Sequence, residues 1–263
     1  MSNDLEMQGR VALVAGGSKG IGRATALRLA ALGADVAVVS RGENGQAVAE
    51  EIKSMGRRAI AIQADLSDVE ECEAMAKQAV SALGRIDALV VSGSEVPQAI
   101  DGRPFIDTDP HDYPNFFTAQ LISKLNPIGA VLPSMRDQGY GKVVVLTTDA
   151  GRVPTVSSSL FGAAAAGLQF SVRAIGKEVA RFGVRVNAVS ITVTKGTSIW
   201  NGYLEGDAPG EHLAKAYKRI EDMTPFHVNT PEDVANTVSF FASPISDQIS
   251  GATLSVNGGV SFP

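Results

Sequence analysis

Cysteine, histidine and excess positive charge are all scarce in this chain. One cysteine, Cys72, in 263 residues excludes an internal disulfide and fits a reducing compartment, so the expected location is cytoplasmic. It sits in a helical pattern beside Glu70, Glu71 and Glu73, whose charges disfavour a thiolate, and it reads as a structural thiol. The histidines His111, His212 and His227 show no metal-ligand spacing, and no metal is expected. Acids outnumber bases, 28 to 23, for a net charge of −5, which leaves no electrostatic footprint for nucleic acid. No run of about 18 apolar residues occurs, so no membrane span is expected. Residues 1–8 are polar and acidic, unlike a secretory signal. A G-x-S-x-G nucleophile elbow is also missing.

What is present is core. At 44% hydrophobic, the chain can bury the interior of one α/β domain spanning residues 1–263. Short β-rich runs at 11–15, 36–40, 59–63, 88–92, 142–148, 184–189 and 253–256 alternate with helical patterns near 20–32, 44–55, 68–83, 112–137, 160–182 and 231–243. Near-continuous apolar strands such as Val36-Ala37-Val38-Val39 suit a parallel sheet covered on both faces. Gly33 reads as the C-terminal cap of the first helix, and Thr230-Pro231-Glu232-Asp233 as the start of the last. The pattern predicts a doubly wound α/β domain with a seven-stranded parallel sheet flanked by helices. Residues 193–225 break the rhythm with Trp200, Tyr203, Gly206, Pro209 and Gly210, and read as an insertion or lid.

The first strand runs into Ala15-Gly16-Gly17-Ser18-Lys19-Gly20-Ile21-Gly22 and then a helix. In that setting Gly16 allows a tight turn, while Gly20 and Gly22 let backbone and helix start approach a pyrophosphate. Ser18, Lys19 and Ile21 share the loop. The second strand ends in Ser40-Arg41 rather than in an acid. An acid would bind a ribose 2′-hydroxyl and repel a 2′-phosphate. Arg41, with Lys19 nearby, favours NADP(H) over NAD(H).

The glycine loop, Asp65-Leu66, the run Val184-Arg185-Val186-Asn187-Ala188-Val189 and the ending Ser250-Gly251-Ala252-Thr253-Leu254-Ser255-Val256-Asn257-Gly258-Gly259 together resemble the short-chain dehydrogenase/reductase family, in its ketoacyl-reductase-like branch. The likeness runs from Gln8 to Gly259. It implies a Rossmann-type dinucleotide fold, with Asp65 meeting the adenine ring, and an oligomer. The departures fall on the chemistry. The family's N-N-A-G is Val91-Ser92-Gly93-Ser94, its relay asparagine is Gln120, its serine is Thr148, and its P-G pair is Ile191-Thr192. The tyrosine and lysine of Y-x-x-x-K fall on Phe161 and Ala165, which are expected to be inactive. Tyr113, Tyr140, Tyr203 and Tyr217 have no lysine four or seven residues on, so no shift of register restores the pair.

Hydride reduction of a ketone makes an alkoxide that needs a proton, and phenylalanine has none to give. Thr148, Gln120 and Asp149 are the candidate groups for any remaining chemistry. His111, Asp112, Tyr113, Lys195 and Tyr203 are weaker candidates, and Lys124 reads as a solvated helix charge. Three functions follow from the resemblance and its departures. One is a pseudo-dehydrogenase subunit, in a homo- or hetero-oligomer, paired with a catalytically complete relative such as a hydroxyacyl-CoA dehydrogenase. The second is an NADP(H)-binding enzyme with repurposed chemistry on a small-molecule or acyl-CoA ligand, either non-redox or reduction with another proton donor. The third is an NADP(H)-sensing protein.

Overall fold

The computed structural model describes residues 6–93, 102–197, 200–202 and 211–262, with backbone alone at 211–214 and 216. Ser94, Tyr203, Gly206, Pro209, Gly210 and the side chain of His212 lie outside the described residues. The first half of the chain is β1 (Val11–Ala15), α1 (Gly20–Ala31), β2 (Asp35–Ser40), α2 (Asn44–Ser54), β3 (Ala59–Gln63), α3 (Val69–Leu83) and β4 (Ala88–Val91). The second is α4 (Tyr113–Phe117), α5 (Ser123–Gln138), β5 (Gly141–Thr148), α6 (Ser159–Val179), β6 (Val184–Ile191), α7 (Glu211–Met223), α8 (Pro231–Ala242) and β7 (Thr253–Val256).

The strands form one seven-stranded sheet in the order β3-β2-β1-β4-β5-β6-β7, and every pairing is parallel. Alternation along β1 sends Val11, Leu13 and Ala15 into the core under α3, α5 and α6, and Ala12 and Val14 into the core under α1, α2 and α8. The order reverses between β1 and β4, which opens a crevice at the carboxyl ends of those strands.

Local signals explain the element ends. Gly33, at φ +102°, follows α1 in the left-handed region that ends helices. Thr230 Oγ1 accepts the Asp233 N–H at 3.3 Å while the Asp233 carboxylate accepts the Thr230 N–H at 2.8 Å, with Pro231 in the first turn of α8. Cys72 is buried, and burial, with Asp68, Asp65 and Glu71 adding to it, pushes its thiol up to about 11.

Two expectations are revised. The continuous helix predicted over 112–137 is broken by a π turn at Thr118–Ile122, which carries Gln120. Pro127 has no N–H for the Ser123 carbonyl, and the Ser123 hydroxyl turns back to the Ala119 carbonyl at 2.7 Å, so the ladder widens here. The segment 193–225 also holds a helix, α7, that its turn-rich composition did not signal. Trp200 is buried, with its ring 5.7 Å from that of Tyr217 on α7, and Lys195 pairs with Glu221 at 2.6 Å. Among the described residues, no helix is long and apolar enough to cross a membrane.

Candidate functional site

The carboxyl ends of the central strands open on one cavity of about 1220 Å³. Gly16, Ser18, Lys19, Gly20, Ile21, Ser40, Arg41, Asp65 and Leu66 line its outer end, and Gly22 lies just behind the loop. The turn is built on close approach. Gly16 has φ +83°, and a Cβ there would strike the backbone of Gly93; a Cβ at Gly22 would strike the Gly16 carbonyl oxygen. The N–H groups of Gly16 and Gly17 donate to the Val39 carbonyl at 3.0 and 2.9 Å, which ties the loop to β2.

α1 begins without a side-chain cap and without an acid in its first turn. Its first N–H groups and positive dipole end are therefore left for an anion. Arg41 is exposed at the end of β2, where its carbonyl accepts Gln63 Nε2 at 2.7 Å. The Asp65 carboxylate takes the N–H of Ser67 at 2.8 Å and its hydroxyl at 2.7 Å. Those bonds, with a smaller contribution from the Arg41 charge, hold it below the usual carboxylate range. The cradle that a Cβ at Gly16 or Gly22 would fill, and the acid and base flanking it, fit a dinucleotide.

At the inner end, Gln120, Thr148, Asp149, Phe161 and Ala165 all line the cavity. Phe161 stands edge-on to Phe116, with ring centroids 4.9 Å apart and planes at 88°, in a cluster with Leu160 and Ala164. Ala165 is buried beneath the turn at Gly151, where a Cβ on that glycine would come 2.9 Å from the Ala165 Cβ. Thr148 is half-buried; its Oγ1 accepts the Ala150 N–H at 3.4 Å, and its carbonyl accepts Gln169 Nε2 at 3.0 Å. The Thr148 hydroxyl proton thus has room to reach a ligand oxygen.

Asp149 is buried, and its carboxylate is fully engaged. It accepts Ser190 Oγ at 2.6 Å, Ser255 Oγ at 2.9 Å, Asn257 Nδ2 at 2.7 Å and Ser261 Oγ at 2.7 Å, and it pairs with Arg152 at 3.0 Å. Burial alone would raise its pKa, but the bonds from Ser190, Asn257, Ser261 and Ser255 outweigh it and lower the pKa. An anion held this way has no proton to donate near neutrality. The structure makes Asp149 a knot joining the ends of β5, β6 and β7.

His111 is exposed, and His111, Asp112, Tyr113 and Lys195 do not line the cavity; the Tyr113 hydroxyl shares a hydrogen bond with Thr108 Oγ1 at 2.8 Å. Among the described residues, no group of His, Cys, Asp and Glu is placed to hold a metal ion.

Lys124 overturns its expectation as a solvated charge. It is 8% exposed, lines the cavity, and donates from Nζ to the Leu146 carbonyl at 3.0 Å. Burial pulls its pKa down to about 8. The available signal was its spacing, one turn beyond Gln120 on the core-facing stripe.

The family model described as enoyl-(acyl carrier protein) reductase matches residues 15–261. The chain belongs to the short-chain dehydrogenase/reductase family. It is 31% identical to cyclohexanol dehydrogenase of Rhodococcus sp. (strain TK6), with 100% of each chain covered. It is 33% identical to a 3-oxoacyl-[acyl-carrier-protein] reductase of Staphylococcus aureus, over 95% of this chain and 97% of that one. Among solved structures, levodione reductase superposes with a TM-score of 0.87 at 26% identity, covering 97% and 98% of the two chains. The complex of 7α-hydroxysteroid dehydrogenase with NADH and 7-oxo-glycochenodeoxycholic acid also superposes with a TM-score of 0.87, at 25% identity over 98% and 97%.

Proposed function

We propose that this chain binds NADP(H) in the crevice and serves as a non-catalytic, pseudo-dehydrogenase subunit beside a catalytically complete relative, of the hydroxyacyl-CoA dehydrogenase kind. The observation that carries this reading is Phe161. The residue at the phenol position is built into an aromatic cluster with Phe116, and Ala165 is buried under a turn. Gly16–Gly22 and the start of α1 would take the pyrophosphate, Arg41 and Lys19 a 2′-phosphate, and Asp65 with Leu66 the adenine end. A bound nicotinamide supplies or accepts hydride. Thr148 can orient a carbonyl by hydrogen bond, but a neutral hydroxyl is a poor acid, and losing general acid catalysis typically costs about 10²–10⁴-fold. Phe170 on α6, 63% exposed beside Ala163 and Ala166, and Leu254 on the edge strand β7, 45% exposed, leave apolar surface for another subunit.

The test is the native mass of the tagged chain isolated under mild conditions from its source cells. A fixed-stoichiometry complex with a relative bearing Y-x-x-x-K is expected. A homo-oligomer that turns over carbonyl substrates by itself would refute it. Cofactor choice is checked separately: Arg41→Ala should weaken NADP⁺ binding roughly tenfold and leave NAD⁺ nearly unchanged, read by titration calorimetry.

A second reading is favoured by Lys124. A buried lysine with no counter-charge among the described residues is costly to keep in a site free of chemical demand. On this reading the chain has its own chemistry, either reduction with a different proton donor or a non-redox dehydration, isomerisation or cyclisation. Phe161→Tyr with Ala165→Lys separates the two. If only those groups are missing, NADPH-dependent reduction of cyclohexanone should rise about 10²-fold or more over the parent chain. No gain would mean that the altered walls at Val91–Gly93 and Ile191–Thr192 serve some other ligand.

A further inference from the structure

Lys124 owes its position to the way β4 ends. On β5, the Lys142 N–H donates to Asp87 at the start of β4, so the even-numbered residues of β5 face that strand. β4 stops at Val91, opposite Val145, and the Gly93 N–H is taken by the Ala15 carbonyl. Among the described residues the Leu146 carbonyl has no strand partner, and it is met by Lys124 Nζ at 3.0 Å. A neutral amine can also donate to that carbonyl, though more weakly than an ammonium, and it keeps a lone pair.

The surroundings shift Lys124 towards the neutral form. Among the described residues no carboxylate pairs with Lys124, and burial is the sole cause of its lowered pKa of about 8. Carboxylates on neighbouring elements are used elsewhere: Asp149 by Arg152 and its hydroxyl and amide donors, and Glu71 on α3 by the Asp65 N–H at 2.7 Å. The cavity that Lys124 lines carries apolar residues, Phe161, Ala164, Ala165 and Leu168, beside the uncharged polar groups of Gln120, Ser123, Thr147 and Thr148. A desolvated amine in an apolar pocket is the activated form of lysine as a nucleophile.

We propose that Lys124 Nζ captures a ketone or aldehyde ligand as an imine at the inner end of this cavity. The Nζ lone pair adds to the carbonyl carbon and the oxygen takes up a proton, giving a carbinolamine. Loss of water leaves the C=N bond, and adding water back releases the ligand. No oxidant or reductant is needed. The assignment goes beyond both readings above, since an amine that holds a carbonyl compound serves a binding subunit and an enzyme alike.

The test uses the full chain with benzaldehyde and sodium cyanoborohydride at neutral pH, followed by digestion and mass mapping. Lowering a lysine pKa from about 10.4 to about 8 raises its free-amine fraction by about 10²-fold. Allowing for restricted access, the benzyl group should appear on Lys124 about tenfold faster than on the exposed Lys53 and Lys77, which are ion-paired with Glu50 and Glu73. Lys124→Arg, which keeps a donor for Leu146, should lose the fast modification while the surface lysines react as before. If Lys124 in the native chain stays unmodified, or reacts no faster than Lys53, the proposal is overturned.

Discussion

Replacing Asp149 with alanine is expected to destabilise the fold by about 3–5 kcal/mol, the range for breaking one side of a buried charged network. The variant leaves Arg152 without its carboxylate and removes the shared acceptor of Ser190, Ser255, Asn257 and Ser261. Ser190 and Asn257 are themselves buried, so water cannot easily replace what is lost. Asp149→Asn should fall between, since one amide oxygen can serve only part of that donor set. Denaturant unfolding measures the loss, and a cost below about 1 kcal/mol would show that the knot is dispensable. The pH dependence has a definite sign. The folded-state pKa is depressed, so the unfolded chain binds the proton more readily. The contribution is therefore fully present above the unfolded value of about 3.9 and is lost as pH falls through the folded value. The native chain should show a steep acid limb that Asp149→Ala flattens.

The parts of this site that could be read from sequence are those whose physics is local. A strand, a glycine turn and a helix start specify one another within a few residues, so Gly16 to Gly22 announce a tight turn into α1 before any fold is known. Phe161 and Ala165 are close enough in sequence to share one face of a helix, and both line the cavity. Asp149 was legible as a position but not as a role. Its partners at 190, 255, 257 and 261 come from β6, β7 and the C-terminal residues, and only the sheet order brings them together. Lys124 is a similar case. Its bond to the Leu146 carbonyl depends on where β4 stops, and a strand's last residue is among the least predictable features of a sequence. The π turn at Thr118–Ile122 escaped because a helical apolar pattern tolerates one wide turn without losing its stripe.

Gly22→Ala is expected to abolish most dinucleotide binding, raising the NADP⁺ dissociation constant roughly 100-fold, or about 2.8 kcal/mol. The reason is space rather than backbone freedom, since Gly22 is not among the residues with positive φ. Its added methyl would overlap the Gly16 carbonyl oxygen and press on Gly17, whose Cα would lie 3.1 Å away. The turn must open to admit it. Gly16 cannot retreat freely, because its Cα side is already packed on Gly93 and its N–H is held by Val39. Opening the turn re-aims the loop N–H groups on which pyrophosphate recognition depends. Gly42→Ala is the matched control: Gly42 lines the same cavity, but a Cβ there meets nothing within 4 Å, so affinity should stay within about twofold. Titration calorimetry with NADP⁺ on both variants, with thermal melts in the absence of ligand, separates a damaged loop from a damaged fold. If Gly22→Ala binds NADP⁺ as the native chain does, the glycine loop does not hold the pyrophosphate. The cavity would then have to be assigned to another ligand, and the inner end around Lys124 and Thr148 would become its centre.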